Sequence, residues 1–409
     1  MKCNICDNQE LILLHDFGTA PVAGYLVSSL QQALSEIRFS NQLLYCQKCG
    51  LVQQSNDSFK DALIEKVYSN YRPTYSMSTK VQEYMSRFID EAVRFCGTSK
   101  GIALEIGSND GTMFPLLHSR GFRPAGIDPS ASETTFKDSI VIKDFFCKRV
   151  ATDFVKQYGK VPLLFSRHTL EHVFDPVDFM EAVSIVLSDN GAAVIEVPYL
   201  PAQVSNCQFA GMGFQHVSYF SSLSMRNLVR SCDLELSDAK PSKMDGGSII
   251  FFLKKGSQGK GEGSSFVRGS LELEAASGFS DGKGLEEKFK NIGKMISLTK
   301  EHILSLKKKA IDVVAYGAGG KGQAILNMIG LSHDIIQYVV DDTPGSRGMF
   351  IPGVGTEVVD SSNGALSNAK IIFITAPTHV DEVVAKEYNK HPQASFLQTS
   401  PFLGYVSNF

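Results

Sequence analysis

The spacing of apolar residues follows two different periods in the first third of the chain. Residues 81–95 place apolar side chains three and four positions apart, which predicts an amphipathic helix. The apolar run 102–106 predicts a buried strand that leads into a glycine-containing turn. A helical pattern over 112–120 and a second strand over 124–128 follow. This order predicts a strand–helix–strand unit whose second strand ends at Asp128.

Strand and helix patterns continue to alternate beyond this unit. Further strand patterns occupy residues 139–145, 162–168, 191–198 and 248–255, and a helical pattern separates the second from the third. Strands that alternate with helices are typical of parallel sheets covered on both faces. The sequence therefore predicts an α/β fold built on a doubly wound sheet.

The last quarter of the chain predicts a second α/β unit. A long amphipathic helix over 285–310 leads into it, and apolar runs at 335–342 and 369–377 predict two of its strands. A glycine- and serine-rich stretch precedes the long helix and is typical of a linker. We therefore expect four segments, which are a cysteine-containing module (1–70), a nucleotide-binding core (71–256), a linker with a long helix (257–310) and a Rossmann-like domain (311–409).

Composition and charge narrow the class of protein. The 409 residues are 43% hydrophobic and 20% charged, which excludes a mainly disordered or coiled-coil chain. The formal net charge of -3 provides no positive field for nucleic acid or an anionic membrane. No apolar run approaches the ~18 residues that span a bilayer, and the first residues contain no apolar signal core. We expect a cytoplasmic monomer or small homo-oligomer without nucleic-acid or membrane partners.

Two CxxC pairs near the start of the chain predict a metal site. Cys3 and Cys6 form the first pair, and Cys46 and Cys49 form the second. Four thiolates suit a closed tetrahedral zinc site, and because no coordination position stays open, we expect the zinc to be structural. Unliganded cysteines or a redox pair are the alternatives, although the strand–helix–strand context of thioredoxin-like motifs is missing.

The turn after the strand 102–106 is acidic and lacks the GxGxxG fingerprint of dinucleotide sites. Glu105 ends the strand, and Asp110 lies between Gly107 and Gly111. These carboxylates would repel a pyrophosphate, whereas they would attract a cationic sulfonium with an amino acid tail. The pattern therefore favours S-adenosylmethionine (SAM). A different nucleotide, or a fold that has lost its ligand, is the alternative.

Acidic residues after the next two strands complete this predicted site. Asp128 is placed to accept hydrogen bonds from ribose hydroxyls, and Asp144 and Phe145 to hold and cover an adenine. The combination resembles the class I SAM-dependent methyltransferases. The predicted donor-binding residues are Glu105, Gly107, Ser108, Asn109, Asp110, Gly111, Asp128, Asp144, Phe145 and His168.

Three histidines follow predicted strands, at the edge where parallel sheets bind ligands. His168 and His172 follow the strand 162–168 and are expected to line the donor pocket. The HTLEH order of this segment differs from the HExxH order of zinc-binding helices, which argues against a metal there. His216 lies in a glycine-flanked loop and is a candidate general base, because the unperturbed pKa of imidazole is near neutral. A packed loop histidine is the alternative.

The whole chain resembles the nucleotide-sugar C-methyltransferases. The resemblance rests on the CxxC…CxxC module, the LEIGSNDGT turn, the HVSYFS segment and the YGAGGKG…YVVDD domain, in that order. It implies that the substrate is a nucleoside-diphosphate 4-keto-6-deoxysugar. A base removes the C3 proton, and the resulting enolate attacks the methyl group of SAM. His216 matches the catalytic histidine of the family, and His172 matches a second active-site histidine.

The chain differs from the family pattern at several positions. Gln215 stands where the family has a glutamate, and Gly213 where it has a tyrosine. The glutamine lacks the negative charge that would raise the basicity of His216. Tyr71 and Tyr75 match the family's catalytic tyrosine segment only loosely. The methylated atom therefore stays open, and O- or N-methylation of a related sugar or small metabolite is the alternative.

The C-terminal glycine-rich turn has two interpretations. Gly317, Gly319 and Lys321 lie between a predicted strand and helix, a setting that accepts phosphates. Gly322 and the following Asp341 also fit an NAD site, so an NAD-binding protein or an inactive scaffold is a further alternative. The resemblance instead implies that this domain helps to bind the nucleotide-sugar. The predicted substrate-binding residues are Tyr219, Gly317, Gly319 and Lys321.

Overall fold

The computed structural model describes residues 1–68, 79–131, 136–256 and 263–407 of the chain. The strands are β1 (Leu11–Ala20), β2 (Phe39–Cys46), β3 (Val52–Gln54), β4 (Ile102–Ile106), β5 (Arg123–Ile127), β6 (Ile140–Ile142), β7 (Val161–Arg167), β8 (Leu187–Pro198), β9 (Ser218–Tyr219), β10 (Leu234–Ser242), β11 (Ser248–Lys255), β12 (Val313–Tyr316), β13 (Tyr338–Val340), β14 (Glu357–Val359), β15 (Ile371–Ile374), β16 (Ser395–Gln398) and β17 (Gly404–Val406). The helices are α1 (Leu30–Ser35), α2 (Lys60–Lys66), α3 (Thr79–Cys96), α4 (Phe114–His118), α5 (Lys148–Tyr158), α6 (Pro176–Val186), α7 (Leu200–Ser205), α8 (Ser222–Arg230), α9 (Ser265–Ala276), α10 (Gly282–Lys308), α11 (Gly320–Ile329) and α12 (Val380–Glu387).

A seven-stranded sheet forms the centre of the molecule. Its strand order is β10-β11-β8-β7-β4-β5-β6, in which the five strands from β8 to β6 run parallel. The chain leaves β4 first toward β5 and β6 and later toward β7 and β8. Strand order therefore reverses beside β4, and ligands of such sheets bind at this point, beyond the carboxyl ends of the strands. The predicted doubly wound α/β fold is confirmed.

The last quarter of the chain forms a second, six-stranded sheet of order β14-β13-β12-β15-β16-β17. All pairs in it are parallel except β16 with β17. Strand order again reverses beside the first strand, β12. The glycine-rich turn at residues 317–320 follows that strand directly, so it lies at the ligand-binding edge of this sheet.

A four-stranded antiparallel sheet of order β1-β2-β3-β9 holds the N-terminal segment together. The segment before Gly24 reads as irregular in sequence, yet β1 runs to Ala20. Bulges after Leu13 and Asp16 break its alternation of buried and exposed positions, which explains why the pattern is hard to recognise. The fourth strand, β9, comes from the central part of the chain.

Strand and helix positions in the central segment agree with the predicted ones to within a few residues, and the differences have physical causes. The predicted strand 139–145 shrinks to the three residues of β6 because this strand is at the sheet edge and pairs only with β5. The helix predicted over 112–120 shortens to α4 because the turn before it continues to Met113. Within the described ranges, no helix is long and apolar enough to cross a membrane.

Helix α10 connects the N-terminal sheet with the C-terminal domain. Its buried positions recur three or four residues apart and form one stripe. This stripe packs against β1 on one side and against α11 and β12 on the other. The buried residues of the stripe are Leu285, Phe289, Ile292, Met295, Thr299, Ile303 and Leu306.

Replacing a buried residue of this stripe tests how much the α10 contact stabilises the fold. Phe289 is fully buried, so Phe289→Ala should lower the free energy of unfolding by about 3–5 kcal/mol, through lost burial and a residual cavity. Leu298 on the same helix is 46% exposed, and Leu298→Ala should cost about 0.5 kcal/mol or less. Chemical denaturation of both variants measures this. Equal losses of the free energy of unfolding in the two variants would contradict the packing assigned to α10.

Candidate active site and zinc centre

The four paired cysteines converge at one end of the N-terminal sheet. The Sγ atoms of Cys3 and Cys49 lie 3.3 Å apart, and those of Cys6 and Cys46 lie 3.5 Å apart. All four sulfurs lie within 4.8 Å of one another. Zinc–sulfur bonds of about 2.3 Å place the ligands of a tetrahedral site at similar separations, so the donor set fits zinc. The pairing of β1 with β2 brings the two halves together, because Leu11 lies opposite Cys46.

The second cysteine turn also packs against helix α8. The side-chain amide of Asn227 donates a 3.0 Å hydrogen bond to the carbonyl of Cys49. Gly50 has a φ of +79°, and a Cβ atom there would lie 2.7 Å from the Leu223 side chain. Glycine is therefore required both by the turn and by the close approach of α8. The zinc centre thus fixes the position of the N-terminal sheet on the central part of the chain.

The turn after β4 brings its backbone close to neighbouring elements. Gly107, Asn109 and Gly111 have positive φ angles of +79°, +44° and +72°. A Cβ atom at Gly107 would lie 2.2 Å from Oγ1 of Thr169, so only glycine fits there. The backbone N–H of Asn109 donates a 3.0 Å hydrogen bond to Oδ2 of Asp128. This bond joins the turn to the end of β5.

Three carboxylates make the edge beyond β4 and β5 electronegative. Glu105 is buried, and among the described residues its Oε2 has no hydrogen-bond partner. Burial raises the pKa of Glu105 well above its usual range, and the charges of Asp128 and Asp110 add to the shift, against the lowering effect of Arg167. An unpartnered buried oxygen beside two carboxylates fits a sulfonium or ammonium cation better than a phosphate. The residues present therefore fit SAM.

The structure places the other predicted donor-site residues near this edge, in different settings. Ser108 is buried below the turn, where its Oγ occupies the space that a Cβ of Gly126 would need. Asp144 follows β6 and accepts a 2.6 Å hydrogen bond from Arg149. Phe145 is 47% exposed. Ser108 therefore packs the turn, whereas the ring of Phe145 is open to solvent beside it.

His172 and His216 come together in one cluster, as the family resemblance implies. Their ring centroids lie 5.0 Å apart in an edge-to-face arrangement. Nδ1 of His172 makes a hydrogen bond to the carbonyl oxygen of Gln215. The backbone N–H of Val217 donates a 2.7 Å hydrogen bond to the carbonyl of Glu171. These two bonds join the loop that carries His216 to the short 3₁₀ helix Leu170–His172.

Burial keeps the imidazole of His216 neutral. Desolvation, followed by the neighbouring His172, lowers the pKa of His216 to about 3, although Glu171 and Asp245 act in the opposite direction. A neutral imidazole has a free lone pair that can accept a proton, although a pKa this low makes His216 a weaker base than a free imidazole. Its Nδ1 is buried and has no hydrogen-bond partner within the described part of the chain.

His168 lies between two buried carboxylates rather than open to a ligand. Its Nδ1 lies 3.3 Å from Glu171, and its Nε2 lies 3.9 Å from Glu196. Burial alone would lower the pKa of His168, but these two carboxylates outweigh it and raise the pKa. The positive φ of +49° at His168 shows that the chain turns sharply directly after β7.

Gln215 and Tyr219 bond to the protein itself. The side-chain amide of Gln215 donates a 2.8 Å hydrogen bond to the carbonyl of Ala23 in the N-terminal segment. The Tyr219 hydroxyl accepts from Gln54 at 3.3 Å and donates to the Gly213 carbonyl at 3.4 Å. Both side chains therefore support the His216 loop from its packed side, and a role of Tyr219 in substrate binding stays a prediction.

The C-terminal glycine-rich turn also has internal partners. Lys321 forms an ion pair with Asp245, which lies in a turn of the central segment. The backbone N–H of Ala318 donates a 2.7 Å hydrogen bond to Oδ2 of Asp341. Gly317 has a φ of +110°, and a Cβ atom there would lie 2.8 Å from that of Ala376. Gly319 is the N-cap of α11 and has no atom near its missing Cβ, so its backbone is the open part of the turn.

Sequence reasoning assigned no role in the site to three carboxylates of this region, of which Glu171 and Glu196 are buried and Asp245 is partly exposed. Glu171 and Glu196 face the histidines, and Asp245 pairs with Lys321. The glycine pair that follows Asp245 indicates a tight turn and was the one available signal. Tyr71 and Tyr75 lie outside the described residues.

Three family descriptions match successive parts of the chain. A putative zinc-binding domain matches residues 3–62, a methyltransferase domain matches residues 78–238, and a C-methyltransferase C-terminal domain matches residues 243–398. The fold, the donor edge and the methyltransferase match together define a SAM-dependent methyltransferase. The chain combines these three matched domains in this order, and its C-terminal match is to a domain of C-methyltransferases.

Individual proteins are also similar to this chain, over different shares of its length. C-methyltransferase NovU of Streptomyces niveus is 25% identical over 390 residues, which span 94% of this chain and 92% of NovU. The structure of the Burkholderia thailandensis 1,6-didemethyltoxoflavin-N1-methyltransferase aligns with a TM-score of 0.37 and 11% identity, over 51% of this chain and 96% of that chain. A SAM-dependent methyltransferase of Anabaena variabilis aligns with a TM-score of 0.31 and 14% identity, over 38% and 77%.

Metal analysis tests the zinc centre. The purified protein should hold one zinc per chain, and Cys46→Ser should lose it and unfold at a lower temperature, because metal binding stabilises the folded module. Cys147 is a cysteine outside the cluster, and Cys147→Ser should keep the full zinc content. Elemental analysis and thermal unfolding measure both effects. Substoichiometric zinc in intact wild-type protein would contradict the assignment.

Proposed function

We propose that the protein methylates C3 of a nucleotide-linked 4-keto-6-deoxysugar through an enolate, with His216 as the base. The observation that supports this most is the buried, neutral imidazole of His216, which contacts His172 beside the donor edge. Residues 169–172 link the two regions. Thr169 contacts the Gly107 turn at one end, and Glu171 bonds to the His216 loop at the other.

The donor edge would hold SAM by complementary charge. We assign Asp128 to the ribose hydroxyls, since it already orients the turn through Asn109 and lies at the end of β5. Glu105 and Asp110 would favour the cationic part of the donor, and Phe145 would cover the adenine. When bound, SAM supplies an electrophilic methyl carbon.

The reaction needs a carbon nucleophile, and a C–H carbon becomes one only after its proton is removed. His216 would accept the C3 proton on its imidazole, and the negative charge would spread onto the C4 carbonyl oxygen. The new carbon–carbon bond forms as the carbon–sulfur bond of the donor breaks, which leaves S-adenosylhomocysteine and the methylated ketone. His216 then releases its proton to solvent. The base and the methyl carbon of the donor must both reach C3 of the sugar. This geometry requires that the His216 loop is held rigidly in place.

The nucleotide part of the substrate would lie against the C-terminal domain. The open backbone of Gly319 at the start of α11 is suited to a phosphate oxygen. Lys321 lies two residues further, in the first turn of α11, and carries the charge that a diphosphate needs, although Asp245 now neutralises it. Gly317 shapes this turn.

Methyl transfer from carbon-13 methyl SAM to a panel of nucleotide 4-keto-6-deoxysugars tests the proposed reaction. The wild-type protein should produce a methyl signal coupled to a ring carbon in NMR spectra. His216→Ala should lower kcat by about 10²–10⁴-fold, the usual effect of a lost general base, without weakening SAM binding. A methyl signal on oxygen or nitrogen, or undiminished turnover of His216→Ala, would refute the enolate mechanism.

Calorimetric titration with SAM tests the donor site. Asp128→Asn should raise the dissociation constant for SAM about tenfold or more, because it removes a charged acceptor from the ribose and weakens the bond to the turn. Asp153→Asn is the matched control, since Asp153 lies exposed on α5 and should leave binding unchanged. Equal affinities of the two variants would exclude Asp128 from the donor site.

A further inference from the structure

The carboxylate of Glu171 faces the proposed base. Glu171 is 1% exposed and lies in the 3₁₀ helix Leu170–His172, directly before His172. One of its oxygens and ring nitrogens of His172 and His216 all lie within 4.8 Å of one another. Glu171 therefore belongs to the same buried cluster as both histidines.

The backbone fixes Glu171 in this position. The carbonyl of Glu171 accepts a 2.7 Å hydrogen bond from the N–H of Val217, the residue after His216. The side chain of His172, the residue after Glu171, bonds in turn to the carbonyl of Gln215. Each of the two segments thus holds the other, and the carboxylate faces the imidazole as a result of this pairing.

The other two carboxylates next to these histidines have partners. Asp245 pairs with Lys321, and Glu196 accepts a 2.7 Å hydrogen bond from Arg167. Oε1 of Glu171 forms a 3.3 Å ion pair with Nδ1 of His168, whereas within the described ranges its Oε2 has no hydrogen-bond partner. Nδ1 of His216 is likewise buried without a partner. A buried ionised oxygen and a buried ring nitrogen without partners are costly unless they serve each other.

Gln215 does not supply the missing partner. Its side-chain amide points to the carbonyl of Ala23 and is neutral. A carboxylate next to the base therefore has to come from a different position in this chain, and Glu171 provides it.

We infer that Glu171 is the positioning residue of His216. Its carboxylate accepts the Nδ1 proton, which leaves the opposite ring nitrogen free for the C3 proton, and its charge stabilises the imidazolium that forms. No proton moves to Glu171. The inference rests on the proposed role of His216 as the base. His168, His172, Asp245 and Lys321 are the other titratable groups whose charges act on this cluster.

NMR of nitrogen-15 histidine tests this without any substrate. The full-length, zinc-loaded protein is compared with Glu171→Gln at neutral pH, and His216→Ala identifies the His216 signals. Wild-type His216 should carry its proton on Nδ1 alone, whereas Glu171→Gln should show mixed tautomers, because an amide both donates and accepts. Glu387→Gln, which removes a buried carboxylate on α12 outside this cluster, is the matched control and should leave His216 unchanged. An unchanged tautomer in Glu171→Gln, or an equal change in Glu387→Gln, would overturn the inference.

Kinetics provide the second readout. Glu171→Gln should lower kcat about 10²-fold with an unchanged KM for SAM, and Glu171→Asp should recover part of the loss. A loss that appears in KM alone would contradict the assigned role. If wild-type protein methylates none of the sugars, the proposed function fails, and the NMR result still decides the role of Glu171.

Metal content separates this inference from its main rival. Glu171, His172 and His216 are also close enough to hold a cation. The inference expects a single zinc per chain, bound by the cysteines, in both wild-type protein and Glu171→Gln. A second metal equivalent that Glu171→Gln loses would overturn the inference and make these residues metal ligands.

Discussion

The position of the His216 loop depends on a two-residue strand that belongs to the N-terminal sheet. In β9, Ser218 and Tyr219 pair with β3, and the N–H of Gln54 donates a 3.0 Å hydrogen bond to the carbonyl of Val217. Strand β3 follows the second cysteine turn directly, so the zinc centre fixes the strand that holds the loop. The zinc centre thereby determines where His216, the proposed base, lies. The zinc module is thus part of the scaffold of the proposed active site.

Charge compensation explains how so many ionisable groups are buried together. Burial disfavours ionised carboxylates, yet the pKa values of Glu171, Glu196 and Asp245 are all lowered, because cationic partners outweigh desolvation. The cations are Arg167, Lys321 and His168. His216 lies beside this network and remains neutral because burial and the neighbouring His172 lower its pKa. Removal of one member would leave an uncompensated buried charge, which is far more costly than the loss of a surface ion pair.

The sequence predicted local features well and long-range partners poorly. The strand–turn–helix around Gly107 and the cysteine pairs are short-range patterns whose spacing alone indicates their structure. Lys321 illustrates the opposite case. Its glycine-rich setting indicates a phosphate ligand, but the structure pairs it with Asp245, 76 residues earlier in the chain. The sequence suggested Glu171 only as a metal ligand of the HTLEH segment, because its neighbour His216 arrives through a loop whose path depends on β9. Pattern reasoning has no access to such contacts between distant segments.

The two departures from the family pattern have a common structural setting. Gln215 bonds to Ala23 of the N-terminal segment, and its amide lies beside Gly320 of the C-terminal domain. A Cβ at Gly213 would contact Met328 and Ala324 of α11 at 3.6 and 3.8 Å, so a large side chain there would press against that helix. Both positions therefore pack at the junction of the three domains. A glutamate at position 215 would place its charge against the Ala23 carbonyl. The departures therefore favour packing between the domains, and the inferred electrostatic support of His216 falls to Glu171.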